Sequence, residues 1–293
     1  MITENKMAIA YDFDGTLAPG NMQEHKFIPE LGIGNREFWE EANELSEAND
    51  MDGILAYMQL MLDKAKSKGI SIKREDFENY GKSITFFPGV EEFFDRINRY
   101  AKTKNIVIEH YIISSGLREF VRGTSIAKYF TNIFASGFKY NENGIAEWPA
   151  VAINYTNKTQ YLFRINKGIY NSWDDTLINK FVPERLRPIP FPNMIYIGDG
   201  ETDVPAMKMI KYQSGTAIAV YNPNITTSRT GRLTPRQTCL ELIKNNRANY
   251  IAPADYREGK VLDRIIKHLI DRISAELELK EIKLNQISDF YTL

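Results

Sequence analysis

Short apolar runs recur along the chain at residues 7–11, 111–113, 194–197, 216–221 and, more weakly, 250–252. Each is too brief to make a helix of useful length and is bounded by charged or turn-forming residues, which fits strands covered on both faces. Segments of helical length and period separate them. Strand and helix in alternation build βα units around a parallel sheet, so the expected fold is α/β with a doubly wound parallel-sheet core. Toward the end, Leu262, Ile265, Ile266, Leu269, Ile270, Ile273 and Leu277 follow the spacing of one helix face that covers a face of this sheet. Asn141 to Gly144, between strand-like flanks across residues 138–153, predicts a hairpin.

A chain of 293 residues has room for about two domains, and the charge pattern says where the second lies. Residues 20–100 hold 10 basic and 16 acidic side chains against 27 and 22 elsewhere, a net −6 segment inside a net +5 remainder. Within it Phe38, Trp39, Ala42 and Leu45, then Ile54, Leu55, Met58 and Leu62, then Val90, Phe93, Phe94 and Ile97 each follow helical spacing. Residues 18–101 are therefore expected to form an α-helical insertion between the two parts of the core, residues 1–17 and 102–293. Tyr57, Met58 and Met61 are read as packing rather than as a ligand-binding stripe.

The overall charge of −1 offers no basic pull toward nucleic acid. No stretch approaches 18 consecutive apolar residues, and the first residues lack a charged region followed by an apolar one, so neither a membrane span nor a signal peptide is expected. One cysteine, Cys239, excludes an internal disulfide and fits a reducing, cytoplasmic compartment; it reads as a small buried hydrophobe. His25, His110 and His268 have no metal-ligand spacing and are read as structural or surface residues.

Chemistry concentrates where the runs end. Asp12-Phe13-Asp14-Gly15-Thr16 directly follows the first run, at the carboxyl edge of the sheet where doubly wound folds bind ligands. Two carboxylates separated by one residue on extended chain project to the same side. Like charges so placed need a shared proton or a cation, and a hard divalent ion is the natural partner. A calcium loop of the EF-hand type fails on register, because Gly15 at that loop's glycine puts Ala10 at its first ligand and Asn21 at its bidentate Glu. The run 194–197 leads into Gly198-Asp199-Gly200-Glu201-Thr202-Asp203, which adds carboxylates. A dinucleotide fingerprint would need glycine at Asp203, whose charge would repel pyrophosphate. Ser114 ends the run 111–113, and Lys158 opens a helical segment; a hydroxyl and a cation are what a carboxylate cluster needs if an anion must also bind there.

In this order the four elements resemble the haloacid dehalogenase (HAD) superfamily, over residues 7–17 and 106–222. Asp12 and Asp14 match its DxDGT first motif, Ser114 its second, Lys158 its third, and Asp199 with Asp203 its GDxxxD fourth. The resemblance implies a Rossmann-like, phosphoserine-phosphatase-like core, with the helical insertion as a cap. It implies a phosphatase acting on a small phosphorylated metabolite. Asp12 would form an aspartyl-phosphate, and Asp14 would protonate the leaving alcohol and then activate water. Mg2+ would be held by the Asp12 carboxylate, the Asp14 carbonyl and Asp199, with Asp203 orienting that set. Ser114 and Lys158 would bind the phosphoryl oxygens.

Lys158 suits the family's lysine at a helix start better than Lys167 does, and Ser114 suits the hydroxyl after the strand better than Ser115. Asp14 favours phosphate esters over carbon–halogen bonds, since a halide leaving group needs no proton. A phosphomutase shares all four motifs and remains the nearest alternative, and an idle ligand-binding protein on the same scaffold is another. The basic stretch 226–236 is read as a solvated loop, and Asn222 is left outside the site.

Overall fold

The computed structural model describes residues 5–228 and 233–292. Residues 1–4 of the amino terminus and residues 229–232 of the basic stretch lie outside the described residues. One sheet contains β1 (Lys6–Tyr11), β2 (Val107–Leu117), β3 (Phe130–Tyr140), β4 (Ala146–Val151), β5 (Met194–Gly198), β6 (Thr216–Tyr221) and β7 (Tyr250–Pro253). Their order is β4-β3-β2-β1-β5-β6-β7, and every pairing is parallel except that of β4 with β3. All five apolar runs are strands of this sheet, and the expected hairpin joins β3 to β4. β3 begins at Phe130, earlier than the expected hairpin, because its first residues are only partly covered and Thr131 and Asn132 interrupt the apolar pattern there.

The helices are α1 (Phe27–Glu30), α2 (Asn35–Asn49), α3 (Gly53–Lys68), α4 (Arg74–Gly81), α5 (Val90–Lys102), α6 (Arg118–Arg122), α7 (Lys158–Lys167), α8 (Thr176–Asn179), α9 (Val204–Tyr212), α10 (Pro235–Lys244) and α11 (Val261–Thr292). Alternation along β1 sends its side chains to opposite faces. Met7, Ile9 and Tyr11 join one buried cluster with Phe93, Phe94 and Ile97 of α5 and Leu262, Ile266 and Ile270 of α11. Ala8 and Ala10 join a second with Leu162 of α7, Met207 and Ile210 of α9 and Leu242 of α10. Helices therefore cover both faces.

Between β1 and β2 lie α1 to α5. The first cluster runs on into α1 to α4 through Phe27, Phe38, Met58 and Phe77, so these helices share apolar core with the α5 face. α4 crosses α6 at two glycines. A Cβ on Gly81 would lie 2.0 Å from the Phe120 carbonyl oxygen, and one on Gly123 1.7 Å from that of Glu78, so only glycine lets the two backbones touch. Asp52 caps α3, its Oδ1 accepting from the amides of Ile54 (2.9 Å) and Leu55 (3.3 Å).

His110 lies buried within β2. Its Nδ1 is 3.0 Å from the Tyr11 hydroxyl and its Nε2 2.9 Å from Asn98 Oδ1, so Nε2 carries the proton and Nδ1 accepts from Tyr11. Burial lowers its pKa to about 3. An unfolded histidine titrates near 6.5, so as pH falls the unfolded chain gains a proton that the folded chain refuses. Its neutral burial is therefore free of penalty above about pH 6.5 and costs stability below it. Between about pH 6 and pH 5 the wild type should lose about 1 kcal/mol more unfolding free energy in urea than His110→Gln. Equal losses would show that His110 takes up a proton in the folded state.

Candidate active site

β1 delivers the first pair of carboxylates. The Asp12 amide donates to Ile197 O at 2.8 Å, prolonging the β1–β5 ladder by one residue, and Asp12 Oδ1 accepts from the Phe13 amide at 2.8 Å. Phe13 is fully buried in the core, while Asp12 and Asp14, on either side of it, both face a cavity. The chain then turns sharply as the amides of Thr16, Leu17 and Ala18 converge on Phe13 O. Gly15, at φ +73°, sits against the second acidic loop: a Cβ there would lie 2.0 Å from Asp199 Oδ2. The strand ends of β1 and β5 therefore bring Asp199 beside Asp12 and Asp14.

Lys158, the first residue of α7, is 1% exposed and places its ammonium 2.7 Å from Asp203 Oδ1 and 3.1 Å from Asp12 Oδ1. The Tyr196 hydroxyl donates to the same Asp203 oxygen at 2.6 Å, and the Asp199 amide donates to Asp203 Oδ2 at 3.1 Å. Both oxygens of Asp203 are thus engaged by the protein. Ser114 is buried at the end of β2's apolar run, its Oγ accepting from the Gly116 amide at 3.0 Å. Ser115 uses its carbonyl to accept from the Tyr57 hydroxyl at 2.7 Å. Lys167 lies one helix length from Lys158 and donates instead to the carbonyls of Ile178 and Lys180.

Asp12, Asp14, Asp199 and Asp203 face the single buried ammonium of Lys158, and the electrostatics follow from that imbalance. Burial raises Asp12 to about 6, with Lys158 opposing and Asp203 adding to the shift. Burial and then the neighbouring Asp12 hold Asp14 well above the usual carboxylate range. Burial, Asp203 and Asp12 do the same to Asp199. Burial alone would lower Lys158, but Asp12 and Asp203 outweigh it and raise it.

Asp12, Asp199 and Asp203 each offer an oxygen within 4.8 Å of the others, which suits a hard divalent cation. With Asp203 occupied by Lys158, Tyr196 and the Asp199 amide, Asp12 and Asp199 are the carboxylates with oxygens left to give. Asp14 is oriented separately, its Oδ1 accepting from the Met22 amide at 2.9 Å.

The cavity has a volume of about 440 Å³ and is lined by Asp12, Asp14, Ser114, Ser115, Lys158 and Asp199. Other walls escaped sequence reasoning. Asn222 does face the crevice, as its place at the end of β6 allows. Thr202 lies inside the Gly198 to Asp203 stretch, so its position carried a signal. Asn21, Ile54 and Tyr155 carried none, because two loops and the first turn of α3, from distant parts of the chain, bring them in. Asn21 is held from the insertion: its Nδ2 donates to Glu24 Oε1 at 2.8 Å, and Trp39 Nε1 donates to the same oxygen at 2.7 Å. Cys239 is buried behind the site and burial pushes its thiol up to about 12, so it is no nucleophile at neutral pH.

A family model for haloacid dehalogenase-like hydrolases matches residues 9–208. An uncharacterized protein of Borreliella burgdorferi is 30% identical over 287 residues, covering 88% of this chain and 94% of that one. Among solved structures, a phosphoserine phosphatase in apo form is similar at a TM-score of 0.53 with 16% identity, over 90% of this chain and 98% of that one. A phospho-aspartyl intermediate analogue of phosphoserine phosphatase gives 0.51 and 17%, over 90% and 99%. A HAD family hydrolase from Salmonella enterica serovar Typhi gives 0.50 and 21%, over 74% of this chain and 63% of that one. This chain thus spans just under two thirds of the Salmonella protein. At these identities the likeness to solved structures is one of fold.

Removing the ammonium would leave Asp12 and Asp203 buried without a counter-charge. Lys158→Met should lose about 3 to 5 kcal/mol of stability at about pH 8 in EDTA, measured by urea unfolding. Asp12 titrates above its unfolded value, so its burial cost is full above its folded pKa and is relieved as pH falls through it. The loss should therefore shrink at about pH 5. A loss independent of pH would contradict the electrostatic origin.

Proposed function

The chain belongs to the haloacid dehalogenase-like hydrolase family, and we propose that it hydrolyses a small-molecule phosphate monoester, with magnesium, through an aspartyl-phosphate on Asp12. The observation that carries this is the Lys158 ammonium bridging Asp12 and Asp203, with Asp199 alongside and Asp14 held apart by the Met22 amide, all around one cavity. That is a nucleophile, its counter-ion, a cation-binding edge and a separate acid.

Asp12 attacks phosphorus, and the bond to the ester oxygen breaks. Asp14, whose pKa burial and the neighbouring Asp12 raise, gives its proton to the departing alkoxide. A water then attacks the phosphorus of the aspartyl-phosphate and loses its proton to Asp14, and inorganic phosphate leaves as Asp12 is restored. A phosphoserine phosphatase of similar fold is known as an analogue of such a phospho-aspartyl intermediate. Ser114 and Lys158 take the phosphoryl oxygens, and Lys158 also offsets the charge of Asp12 against an anionic substrate. The oxygen donors gathered at this edge fit magnesium, which the Asp12 and Asp199 carboxylates and the Asp14 carbonyl would hold. Once bound it would neutralise charge between nucleophile and phosphoryl group. Asp203, saturated by three donors, fixes the positions of Lys158 and the Asp199 loop.

Residues 18–101 act as the cap, with Asn21 and Ile54 reaching the cavity and α5 packed on the sheet beneath. A cavity of about 440 Å³ suits a small metabolite rather than a polymer. Among the described residues no helix is long and apolar enough to cross a membrane, and with a single cysteine the chain suits the cytoplasm.

Release of phosphate from p-nitrophenyl phosphate should require magnesium, stop in EDTA and fall by more than about 10³-fold in Asp12→Asn. Asp14→Asn should cost about 10²- to 10⁴-fold on an alkyl phosphate and less on p-nitrophenyl phosphate, whose leaving group departs without a proton. Turnover that survives Asp12→Asn or EDTA would overturn the mechanism.

A further inference from the structure

A second cavity, of about 600 Å³, opens on the far side of β3 and is larger than the one at the strand ends. β3 pairs with β2 along its length but with β4 only from Gly137 onward. The outer edge at Asn132 to Ala135 therefore has no strand beside it. The loop over residues 170–173 covers it instead, with Asn132 Nδ2 donating to Tyr170 O at 3.4 Å. Arg164 clamps that loop from below, its guanidinium donating to the carbonyls of Asn171 (2.6 Å), Ser172 (3.2 Å) and Asp174 (3.3 Å). This clamp blocks addition of a strand to the edge and leaves a pocket between α6, α7 and the loop.

The chemistry of the pocket is set by Arg118 and Arg122, one helical turn apart on α6. The Arg118 side chain is only 25% exposed, yet it makes no hydrogen bond among the described residues, and its Nε is buried without a partner. Its nearest carboxylate oxygen, on Glu119, is 4.0 Å away, beyond hydrogen-bond reach. Gly137 makes room for it, since a Cβ there would lie 2.6 Å from a guanidinium nitrogen. A guanidinium has five donors, and leaving them unpaired away from water is costly. Arg164, the comparable buried case, satisfies its group on three carbonyls. Water or an incoming anion would supply the acceptors that Arg118 lacks among the described residues. Burial holds the Glu119 carboxyl above the usual carboxylate range, with Arg118 and Arg122 opposing that rise.

The remaining walls mix the polar side chains of Asn132, Gln160, Asn171 and Ser172 with aromatic ones. Phe134 and Tyr161 lie 4.9 Å apart, and the indole of Trp173, 78% exposed, stands at the rim with nothing packed over it. An exposed indole lining the same cavity as two guanidinium groups is a surface for a flat body attached to a charge.

The geometry points to a second ligand site that takes a small organic anion, its carboxylate or phosphate head on Arg118 and Arg122 and its apolar or aromatic body against Trp173. Arg118 supplies a planar fork matched to either head group.

Trp173 makes the site observable. Phenylphosphonate and benzoate, titrated separately into Asp12→Asn protein in EDTA, distinguish the two head groups. At least one should give a saturable change in tryptophan fluorescence below about 10 mM. The change should vanish in Trp173→Phe, while calorimetry still detects the ligand. Arg118→Gln should weaken binding at least about tenfold. Arg122→Gln, at an exposed position where no buried charge is stranded, should weaken it too and guards against an Arg118 variant that fails to fold. No saturation by either probe, or binding indifferent to both arginines, would overturn the site.

Discussion

The Lys158 ammonium, buried between Asp12 and Asp203, ties together the end of β1, the start of α7 and the loop after β5, which are far apart in sequence. Its burial is costly by itself, and so is that of each carboxylate; the three are tolerable only together. Because Asp203 also receives the Tyr196 hydroxyl and the Asp199 amide, the ion pair fixes the β5 loop as well as the helix. The parallel sheet makes such a meeting possible, since it sends the ends of β1, β2, β5 and β6 to one edge and leaves the opposite edge to structural contacts.

The geometry also explains why acid and nucleophile differ although both are aspartates two residues apart. Asp12 stands in the field of Lys158, which restrains the rise that burial causes, whereas Asp14 has the negative Asp12 as a near neighbour and one backbone amide for support. Phe13, locked in the core between them, keeps the two from exchanging places. A turn of any other composition at Gly15 would push Asp199 away from both.

The sheet was readable because strands covered on both faces have little choice of composition: residues 7–11 and 194–197 could hardly be anything else. The motif residues were readable because each motif directly follows a short apolar run or opens a helix. The first half of β3 was not, since a strand near the sheet edge can keep Thr131 and Asn132 half in water. Nor were Asn21, Ile54 and Tyr155, whose approach to the cavity depends on how segments separated by many residues pack. The Glu24 carboxylate is the clearest instance: Asn21 is its local capping-box partner three residues before, but nothing local announces that Trp39 donates to it as well.

The helices over the site are joined to the core in two unlike ways. At α3 two hydrogen bonds, from the Tyr57 hydroxyl to Ser115 O and from Asn154 Nδ2 to Asp52 Oδ2, supplement apolar packing through Met58 and Met61. At α4 the backbones touch directly at Gly81 and Gly123, and Phe77 and Tyr80 add ring contacts to Phe120, so there is no space to slide. The α4–α6 crossing is thus the most closely fitted seam of the insertion, whereas α3 brings Ile54 to the cavity wall, so a substitution at Gly81 or Gly123 would shift the helices that shape the cavity without touching its lining.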